Sequence, residues 1–275
     1  MIIDGRKISS EILEQLQKEV ASLSFRPKLI DVLVGEDPVT ESYVRIKAKR
    51  AAEIGIDFET VRLPANISEE DLENKVRNLN LTPHLCGMII QLPLPEHLDK
   101  QKIIDAIDPY VDVDVITTEN SDAFYESRPS MTPPTAGAIM RILESLNLNL
   151  KGEKVLVVGA GDLVGKPVTP LLEKAGADVK IADLYTTNIA ELAQQANIII
   201  SGTGVPNLIN KDMVHADSIV IDAGTAESAG GISGDADFNA IKDTVAAISP
   251  VPGGVGPVTV AMLLRNVVLV AKGSK

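Results

Sequence analysis

The sequence contains very few aromatic residues and a single cysteine. None of its 275 residues is Trp, and the aromatic fraction is 3%, so a hydrophobic core has to be built mainly from Ile, Leu, Val and Ala. Because Cys86 is the only cysteine, the chain can form no internal disulfide and no cysteine-based metal site. The net charge of −12 argues against a general nucleic-acid-binding protein. We find no signal-peptide pattern and no apolar run of membrane-spanning length, and we expect a soluble, cytoplasmic protein.

Short apolar runs alternate with stretches of helical periodicity along most of the chain. The runs predict strands at residues 29–34, 58–63, 87–91, 155–158, 179–182, 198–200, 219–221 and 246–248. The periodic stretches predict helices at residues 9–23, 41–54, 69–79, 101–107, 137–146, 165–175 and 257–271. Such alternation is typical of an α/β fold in which helices cover parallel sheets.

The length of the chain suits one large domain or two domains of ordinary size. A polar stretch at residues 147–154 separates a helical pattern from a new strand, and a dinucleotide-binding pattern begins there. We predict an α/β catalytic domain at residues 1–139 with 258–275, and a Rossmann-like doubly wound parallel sheet at residues 140–257. The last helix is assigned to the first domain because no further strand follows it. An active-site cleft is expected between the two domains.

A glycine-rich loop follows the strand predicted at residues 155–158. Its glycines, Gly159, Gly161 and Gly165, have a G-x-G-x-x-x-G spacing, one residue longer than the usual nucleotide-binding pattern. In such loops the first glycine allows a tight turn, the second lets a pyrophosphate approach the backbone, and the third lets the helix pack on the strand. The N–H groups that begin the helix then face the phosphate. An ordinary strand–helix turn is the alternative.

Polar and small residues follow the later strands of this predicted domain. Asp183 ends the second strand, where a carboxylate normally accepts hydrogen bonds from the adenosine ribose and would repel a 2′-phosphate. By itself this residue favours NAD over NADP. Further strands run into Thr203, Gly204 and Gly224. Because ligands of open parallel sheets bind beyond the carboxyl ends of the strands, these residues are candidates for coenzyme contacts.

A basic cluster lies on the helix predicted at residues 41–54. Tyr43 and Lys47 are four residues apart and therefore share a face of the helix. Together with the neighbouring Arg45, Lys49 and Arg50 they suit an anionic ligand. A solvated basic face is the alternative.

Two further polar motifs follow in the first predicted domain. Gln91 ends a strand and precedes Leu92 and Pro93, so its amide is placed to hydrogen-bond a bound group, unless the prolines merely stiffen a loop. Asp112 and Asp114 are predicted to point to one side of an extended segment. They suit a ring with N–H donors, and a hard metal ion is also possible chemically. A solvated acidic turn is the alternative.

Residues 250–259, which read PVPGGVGPVT, are rich in proline and glycine. Three prolines lack N–H donors and three glycines permit positive φ, so residues 250–257 are predicted to be neither helix nor strand. A loop with so few side chains suits close approach of its backbone to a ligand. A tight connection between a strand and a helix is the alternative.

Together these motifs resemble the bifunctional methylenetetrahydrofolate dehydrogenase/cyclohydrolase family. The matches span nearly the whole chain in the family's order: Val34-Gly35 with Pro38 and Thr40, Tyr43-x-x-x-Lys47, Gln91-Leu-Pro-Leu-Pro95, Asp112-Val-Asp114, Gly159 to Pro167, and Pro250 to Thr259. The Gln-Leu-Pro-Leu-Pro and Pro-Val-Pro-Gly-Gly-Val-Gly-Pro segments are the most specific of them.

The resemblance implies a two-step reaction on a folate. Such an enzyme oxidises 5,10-methylenetetrahydrofolate to 5,10-methenyltetrahydrofolate by hydride transfer to a nicotinamide, and then hydrolyses that product to 10-formyltetrahydrofolate. By similarity Lys47 is the central proton-transfer residue and Gln91 holds and tunes it. Tyr43 stacks on the folate and Asp114 binds the N–H edge of the pterin. Further substrate contacts are implied for Leu92, Pro93, Asp112, Gly254 and Pro257.

The coenzyme implied by the resemblance is a nicotinamide dinucleotide, bound without a metal, with its nicotinamide in the cleft between the domains. The implied contacts are Gly159, Ala160, Gly161, Asp162, Val164, Gly165, Asp183, Thr203, Gly204, Gly224, Gly253 and Thr259. The family usually takes NADP, but Ala160 and Asp183-Leu184 stand where it often has groups that serve the NADP phosphate. NADP and NAD both remain open.

Further positions depart from the family pattern: Val115 replaces a glycine after Asp114, Thr135-Ala-Gly-Ala138 replaces Thr-Pro-x-Gly, and Gly161 replaces a common serine of the nucleotide loop. The resemblance further implies a homodimer through the nucleotide domain and a role in one-carbon metabolism and purine biosynthesis, with no nucleic-acid or membrane partner. A monofunctional dehydrogenase of the family is one alternative, but it would be expected to lack Lys47. A non-catalytic nucleotide-binding module is another, disfavoured by the joint presence of the four candidate folate-site residues.

Overall fold

A computed structural model describes residues 1–36, 38–128, 131–228 and 231–273. The chain divides into two compact units. The five-stranded unit comprises Met1–Ser10 and Thr135–Thr259, and the three-stranded unit comprises Glu11–Pro134 and Val260–Lys275. The α/β class with parallel sheets, predicted from the alternation of apolar runs and helical patterns, is confirmed.

Helices and strands alternate in the described part of the chain. The helices are α1 (Gly5–Ala21), α2 (Pro38–Glu53), α3 (Glu69–Leu79), α4 (Lys100–Ile104), α5 (Thr118–Tyr125), α6 (Pro134–Ser145), α7 (Gly165–Lys174), α8 (Ile189–Gln195), α9 (Phe238–Ile241) and α10 (Val255–Gly273). The strands are β1 (Lys28–Val34), β2 (Asp57–Leu63), β3 (Leu85–Ile90), β4 (Lys154–Val158), β5 (Asp178–Ala182), β6 (Ile198–Ser201), β7 (Ile219–Asp222), β8 (Ala226–Ser228), β9 (Gly231–Ser233) and β10 (Ala247–Ile248). Single 3₁₀ turns lie at Pro109–Val111 and Lys211–Met213.

The three-stranded unit is built on a parallel sheet of order β2-β1-β3. The central strand β1 is buried along nearly its whole length, and β3 is buried throughout. Position 87 of β3 requires glycine, because a Cβ there would lie 2.9 Å from both Leu29 Cδ1 and Val267 Cγ2. This close packing joins the C-terminal part of α10 to the sheet of the same unit.

The five-stranded unit is built on a parallel sheet of order β10-β7-β6-β4-β5, with β8 and β9 forming a separate antiparallel hairpin. Its aliphatic core includes Leu156, Ile199, Val220 and Ile248. The first ten residues, assigned from sequence to the other domain, belong to this unit. These residues extend the five-stranded sheet beside β10: Ile2 forms a parallel bridge with Ile248, and Ile3 N donates to Ile248 O at 2.9 Å.

Helix α10 begins earlier than the sequence predicts. The prediction that residues 250–257 are neither helix nor strand is wrong from Val255 onward. Pro257 lies in the first helical turn, where a missing N–H costs no hydrogen bond. The helix is also long and apolar enough to span a membrane, which the sequence analysis missed, but 67% of that stretch is buried within the fold. It is therefore a core helix.

The elements that periodicity did not predict are short. They are the helices α5, α8 and α9 and the hairpin strands β8 and β9. Helix α5 is stabilised by its cap, because Thr117 Oγ1 accepts from Asn120 N. Elements of three to eight residues contain too few apolar positions for a periodic pattern to show.

Candidate active site and coenzyme site

A buried ion pair marks the three-stranded unit. Asp31 lies in the middle of β1, between Ile30 and Val32, and all three residues are 0% exposed. The Asp31 Oδ2 atom is 2.6 Å from Nζ of Lys47, which lies on α2. Lys47 is itself 8% exposed. Lys47 is therefore not part of a solvated basic helix face, although the nearby Arg45 on the same helix is exposed.

Gln91 completes the contacts of this lysine. Lys47 Nζ donates to Gln91 Oε1 at 2.7 Å. The amide of Gln91 is held just beyond β3, because its backbone N donates to Val32 O at 2.9 Å and its Nε2 donates to Leu92 O at 3.3 Å. Tyr43 lies one helical turn before Lys47 and is half-buried. Three elements of one unit therefore converge on a single ammonium group.

Asp112 and Asp114 do not act as a matched pair. The predicted extended segment is found only at Asp112, which forms a parallel bridge with Met88, because residues 113 and 114 lie in a turn. Asp112 is fully buried, and its Oδ2 accepts from Ile116 N, Thr117 N, Thr117 Oγ1 and Asn120 Nδ2. The oxygens of Asp112 are thus used to fold the following loop.

Asp114 is the carboxylate of this loop that stays half-buried. Burial raises the pKa of Asp114 to about 7, and the nearby positive charge of Lys47 opposes that shift. Asn266, on the buried face of α10, donates its Nδ2 to Val113 O and to Thr132 O, each at 2.9 Å. This side chain therefore ties the residue before Asp114 to the segment that leads into α6.

The glycine-rich loop of the five-stranded unit has the geometry of a phosphate-binding loop. Gly159 has φ of +96°, and a Cβ on Gly165 would lie 1.8 Å from Gly159 O, so that both positions require glycine. A Cβ on Gly161 would meet no atom within 4 Å. The first and third glycines bring α7 against β4, and the second leaves open space in front of the loop. These residues fit a pyrophosphate.

The remaining residues of the loop are exposed or half-buried. Ala160 and Asp162 are exposed, and Val164 precedes the first residue of α7 without a side-chain cap. Asp162 Oδ1 forms an exposed ion pair with Lys166 Nζ at 2.6 Å. Because Val164 has no side-chain acceptor, it does not cap the first N–H groups of α7.

Asp183 follows β5, the neighbour of β4 in the sheet, and is exposed. Its Oδ1 accepts from Tyr185 N and from Thr186 Oγ1, both at 3.0 Å. The carboxylate thus folds its own turn as an Asx-type motif. In this type of sheet, an acidic residue at the end of the second strand accepts hydrogen bonds from the coenzyme ribose.

Two buried carboxylates organise the ends of β6 and β7, and sequence reasoning missed both. Asp235 Oδ2 accepts from Ser201 Oγ at 2.6 Å and from Thr203 N at 2.7 Å. Asp222 Oδ1 accepts from Gly224 N at 3.0 Å. Burial raises the pKa of Asp222 to about 6. These bonds hold Thr203 and Gly224 at the carboxyl edge of the sheet.

Gly204 and the segment before α10 complete the predicted coenzyme residues. Gly204 has φ of +72° and Gly253 has φ of +114°. A Cβ on Gly254 would lie 2.6 Å from Pro250 O, so this turn is tightly packed. Thr259 Oγ1 donates to Val255 O at 3.3 Å. All predicted coenzyme residues belong to the five-stranded unit, as do Gly254 and Pro257.

The sequence analysis overlooked Asp31, although a signal was present. One acidic residue interrupts an otherwise apolar strand, residues 29–34. A fully buried carboxylate needs a partner. In the residues that the structure describes, no group of three or more His, Cys, Asp and Glu side chains is arranged to hold a metal ion.

Comparison with known proteins assigns both units to one family. The model of the tetrahydrofolate dehydrogenase/cyclohydrolase catalytic domain matches residues 3–114. The model of the NAD(P)-binding domain of tetrahydrofolate dehydrogenase/cyclohydrolase matches residues 133–275. The chain belongs to the tetrahydrofolate dehydrogenase/cyclohydrolase family. It is an enzyme with both activities, and the non-catalytic module is excluded.

Relatives in this family match over their full length. The bifunctional protein FolD of Nitratiruptor sp. is 40% identical over 278 residues, covering 100% of this chain and 99% of that protein. The crystal structure of the bifunctional FolD enzyme from Campylobacter jejuni has a TM-score of 0.96 at 34% identity, with 100% and 99% of the two chains covered. The Trypanosoma brucei FolD enzyme, complexed with NADP cofactor and inhibitor, has a TM-score of 0.94 at 35% identity, with 100% and 98% covered.

Proposed function

We propose that this dehydrogenase/cyclohydrolase oxidises 5,10-methylenetetrahydrofolate to 5,10-methenyltetrahydrofolate and hydrolyses that product to 10-formyltetrahydrofolate. The observation that carries the proposal is the buried ammonium of Lys47, held at 2.7 Å by Gln91 beside the half-buried carboxylate of Asp114. A cation, an amide and a carboxylate in one unit suit a flat ligand rich in N–H donors.

The first step needs positioning more than proton transfer. Asp114 accepts N–H donors from the pterin edge, and Tyr43 stacks on the ring system, so that the methylene carbon is held in one orientation. Gly159, Gly161 and Gly165 would hold the pyrophosphate of a nicotinamide coenzyme at the start of α7, and that coenzyme would supply the hydride acceptor for the methylene carbon.

The second step needs a group that moves protons. Water adds to the methenyl carbon and the bond from that carbon to N5 breaks, which leaves the formyl group on N10. The attacking water loses both protons, of which one ends on N5 and the other in solvent. We assign Lys47 as the group that transfers the proton, with Gln91 orienting its Nζ.

A direct assay tests the proposal. The purified enzyme is given 5,10-methylenetetrahydrofolate with NAD or NADP, and the absorbance of methenyltetrahydrofolate is followed. We expect the absorbance to rise with coenzyme reduction and then to decay as the formyl product forms. A rise without decay would instead identify the monofunctional dehydrogenase.

Asp114→Asn is expected to weaken folate binding about 10-fold or more, since hydrogen bonds to a charged group contribute about 1.5–3 kcal/mol. Because the pKa of Asp114 is raised to about 7, the wild-type carboxyl is largely protonated below that pH and a full acceptor above it. Affinity for tetrahydrofolate should therefore rise from about pH 6 to pH 8, and this rise should disappear in Asp114→Asn. Calorimetry at several pH values measures both effects.

The matched control for that variant is Asp122→Asn, which removes the same charge from an exposed position on α5. It should leave folate affinity unchanged. Coenzyme affinity should be the same in all three proteins. Equal losses for folate and coenzyme in Asp114→Asn would contradict a folate-binding role.

We propose that Asp183 sets the choice of coenzyme in favour of NAD. Asp183→Ser removes the repulsion of a 2′-phosphate and one ribose contact, so the NADP/NAD ratio of kcat/KM should rise by about 10-fold, within the roughly 1–3 kcal/mol of a charged hydrogen bond. Asp178→Ser, at the other end of the same exposed strand, is the control. The ratio is measured at one salt concentration. A wild type that already prefers NADP, with a flat ratio in Asp183→Ser, would mean that other groups receive the phosphate.

We also propose a homodimer formed through the five-stranded unit. Strand β5 lies at the edge of its sheet, and apolar side chains are exposed on it and beyond it: Ile181 at 47%, Leu184 at 96% and Tyr185 at 89%. Pairing would cover both features. Sedimentation over a range of concentrations tests this, and a monomer throughout would contradict it. A cytoplasmic location and a role in purine biosynthesis complete the proposal.

A further inference from the structure

The roles proposed above leave the buried carboxylate of Asp31 without a task. We propose that Asp31 is a positioning residue for hydrolysis: its carboxylate anchors the Lys47 ammonium against Gln91. The inference rests on the proposed function of Lys47, and its test includes a measurement that needs no substrate.

The contact geometry is the first argument. Lys47 Nζ lies 2.6 Å from Asp31 Oδ2 and 2.7 Å from Gln91 Oε1. An ammonium has three N–H donors, and in the described part of the chain these two oxygens are the acceptors that the lysine contacts. One donor is directed to Gln91 at the end of β3, and the ammonium is in ion-pair contact with Asp31 of β1, which leaves N–H groups for a bound folate or water. A two-point anchor restricts a long, flexible side chain to one position.

The free-energy cost of burying Asp31 is the second argument. The residue is 0% exposed, and neither of its carboxylate oxygens has a hydrogen-bond partner among the described residues; Oδ2 is in ion-pair contact with Lys47. Both features disfavour folding. Replacing a buried ion pair by apolar residues of similar size is often neutral or stabilising. A strand flanked by Ile30 and Val32 would therefore lose little stability if position 31 and Lys47 were both apolar, so stability does not account for this pair.

The surrounding charges are the third argument. Arg62 on β2 faces Asp31, and Asp112 and Asp114 lie in the loop beside Lys47. Asp112 is committed to the backbone of its own loop. Asp114 is the proposed folate ligand and exchanges its neighbours when substrate binds. Among the described residues, Asp31 is the carboxylate in ion-pair contact with Lys47.

Asp31→Asn tests the role with a side chain of nearly the same shape and no charge. We expect kcat for hydrolysis to fall about 10-fold or more, with KM for the folate and affinity for the coenzyme within about twofold of wild type. Loss of the neighbouring negative charge should also change the pH–rate profile of hydrolysis, which a merely structural residue would leave unchanged. Asp31→Val, an apolar residue suited to a strand, is the second variant if Asp31→Asn does not fold.

Lys47→Met supplies the control that separates positioning from structure. In a Lys47→Met background, Asp31→Asn should cause no further loss of hydrolysis, because its effect passes through the lysine. Independent losses in the two variants, or a parallel loss of coenzyme affinity in Asp31→Asn, would assign Asp31 a merely structural role. An unchanged kcat and pH profile in a folded Asp31 variant would also overturn the proposal.

NMR of enzyme labelled with ¹⁵N at lysine Nζ keeps the test independent of the reaction. The Lys47 resonance is identified by its absence from Lys47→Met. The ammonium protons of Lys47 should exchange with water faster in Asp31→Asn, because the ion pair to β1 is lost. Faster exchange without any wild-type hydrolysis would refute the proposed function while supporting the anchor. Wild-type hydrolysis with unchanged exchange would refute the anchor alone.

Discussion

Lys47→Met should lower the rate of methenyltetrahydrofolate hydrolysis by about 10²–10⁴-fold, the usual contribution of a general acid–base group. The thioether can neither donate nor accept the proton that Lys47 Nζ transfers between water and N5. The dehydrogenase should fall less steeply, because hydride transfer depends on positioning of the folate. Separate assays of the two steps, with substrate in excess, measure both rates. Hydrolysis at close to the wild-type rate would show that another group transfers the proton.

The structure adds an effect on stability to this prediction. Removing Lys47 leaves the carboxylate of Asp31 buried without its ion pair, and breaking a buried pair from one side costs about 3–5 kcal/mol. Burial already holds the pKa of Asp31 above its usual range, so protonation of the carboxyl should limit that cost. Lys47→Arg is the control, because it keeps a cation for Asp31 but does not release a proton near neutral pH. It should unfold at a higher denaturant concentration than Lys47→Met and be similarly inactive in hydrolysis.

Gly165→Ala should destabilise the five-stranded unit by about 2 kcal/mol or more. The new Cβ would lie 1.8 Å from Gly159 O, and the clashing atom belongs to the backbone of the turn that follows β4. Overpacking at such a site typically costs about 1–3 kcal/mol. The free energy of unfolding, from denaturant titration followed by circular dichroism, measures the effect. Coenzyme affinity should fall as well, because the turn that faces the pyrophosphate has to move.

Gly161→Ala is the matched comparison within the same loop. A Cβ there would meet no atom within 4 Å, so the free energy of unfolding should stay within about 0.5 kcal/mol of wild type. The methyl group would nevertheless occupy the space that the pyrophosphate needs, and coenzyme affinity should fall by about 10-fold or more. If Gly161→Ala bound the coenzyme normally, the pyrophosphate would have to bind elsewhere. If Gly165→Ala were fully stable, the close contact with Gly159 would be relaxed in solution.

Helix periodicity, capping residues and glycine spacing correctly predicted features that depend on only a few neighbouring residues. Helix α3 has the predicted bounds, since Ser68 caps it and Leu72 and Val76 repeat at helical spacing. The glycine spacing after β4 predicted the turn at Gly159, because only glycine adopts such a φ freely. Helix α4 ends three residues before its predicted end, because Asp105 is already its C-cap. Such boundaries depend on single hydrogen bonds that periodicity does not encode.

The alternation of strands and helices, the glycine loop and the shared helix face of Tyr43 and Lys47 can all be predicted from the sequence, because each follows from the spacing of nearby residues. Which distant side chains meet depends on the tertiary structure. Sheet order and register bring Asp31 and Gln91, from neighbouring strands, to one ammonium. Asp112 and Asp114 have the same chemistry and almost the same position in the chain, yet one folds the loop and the other remains half-buried. Hydrogen-bond partners supplied by the rest of the fold make that difference, and spacing in the sequence does not specify them.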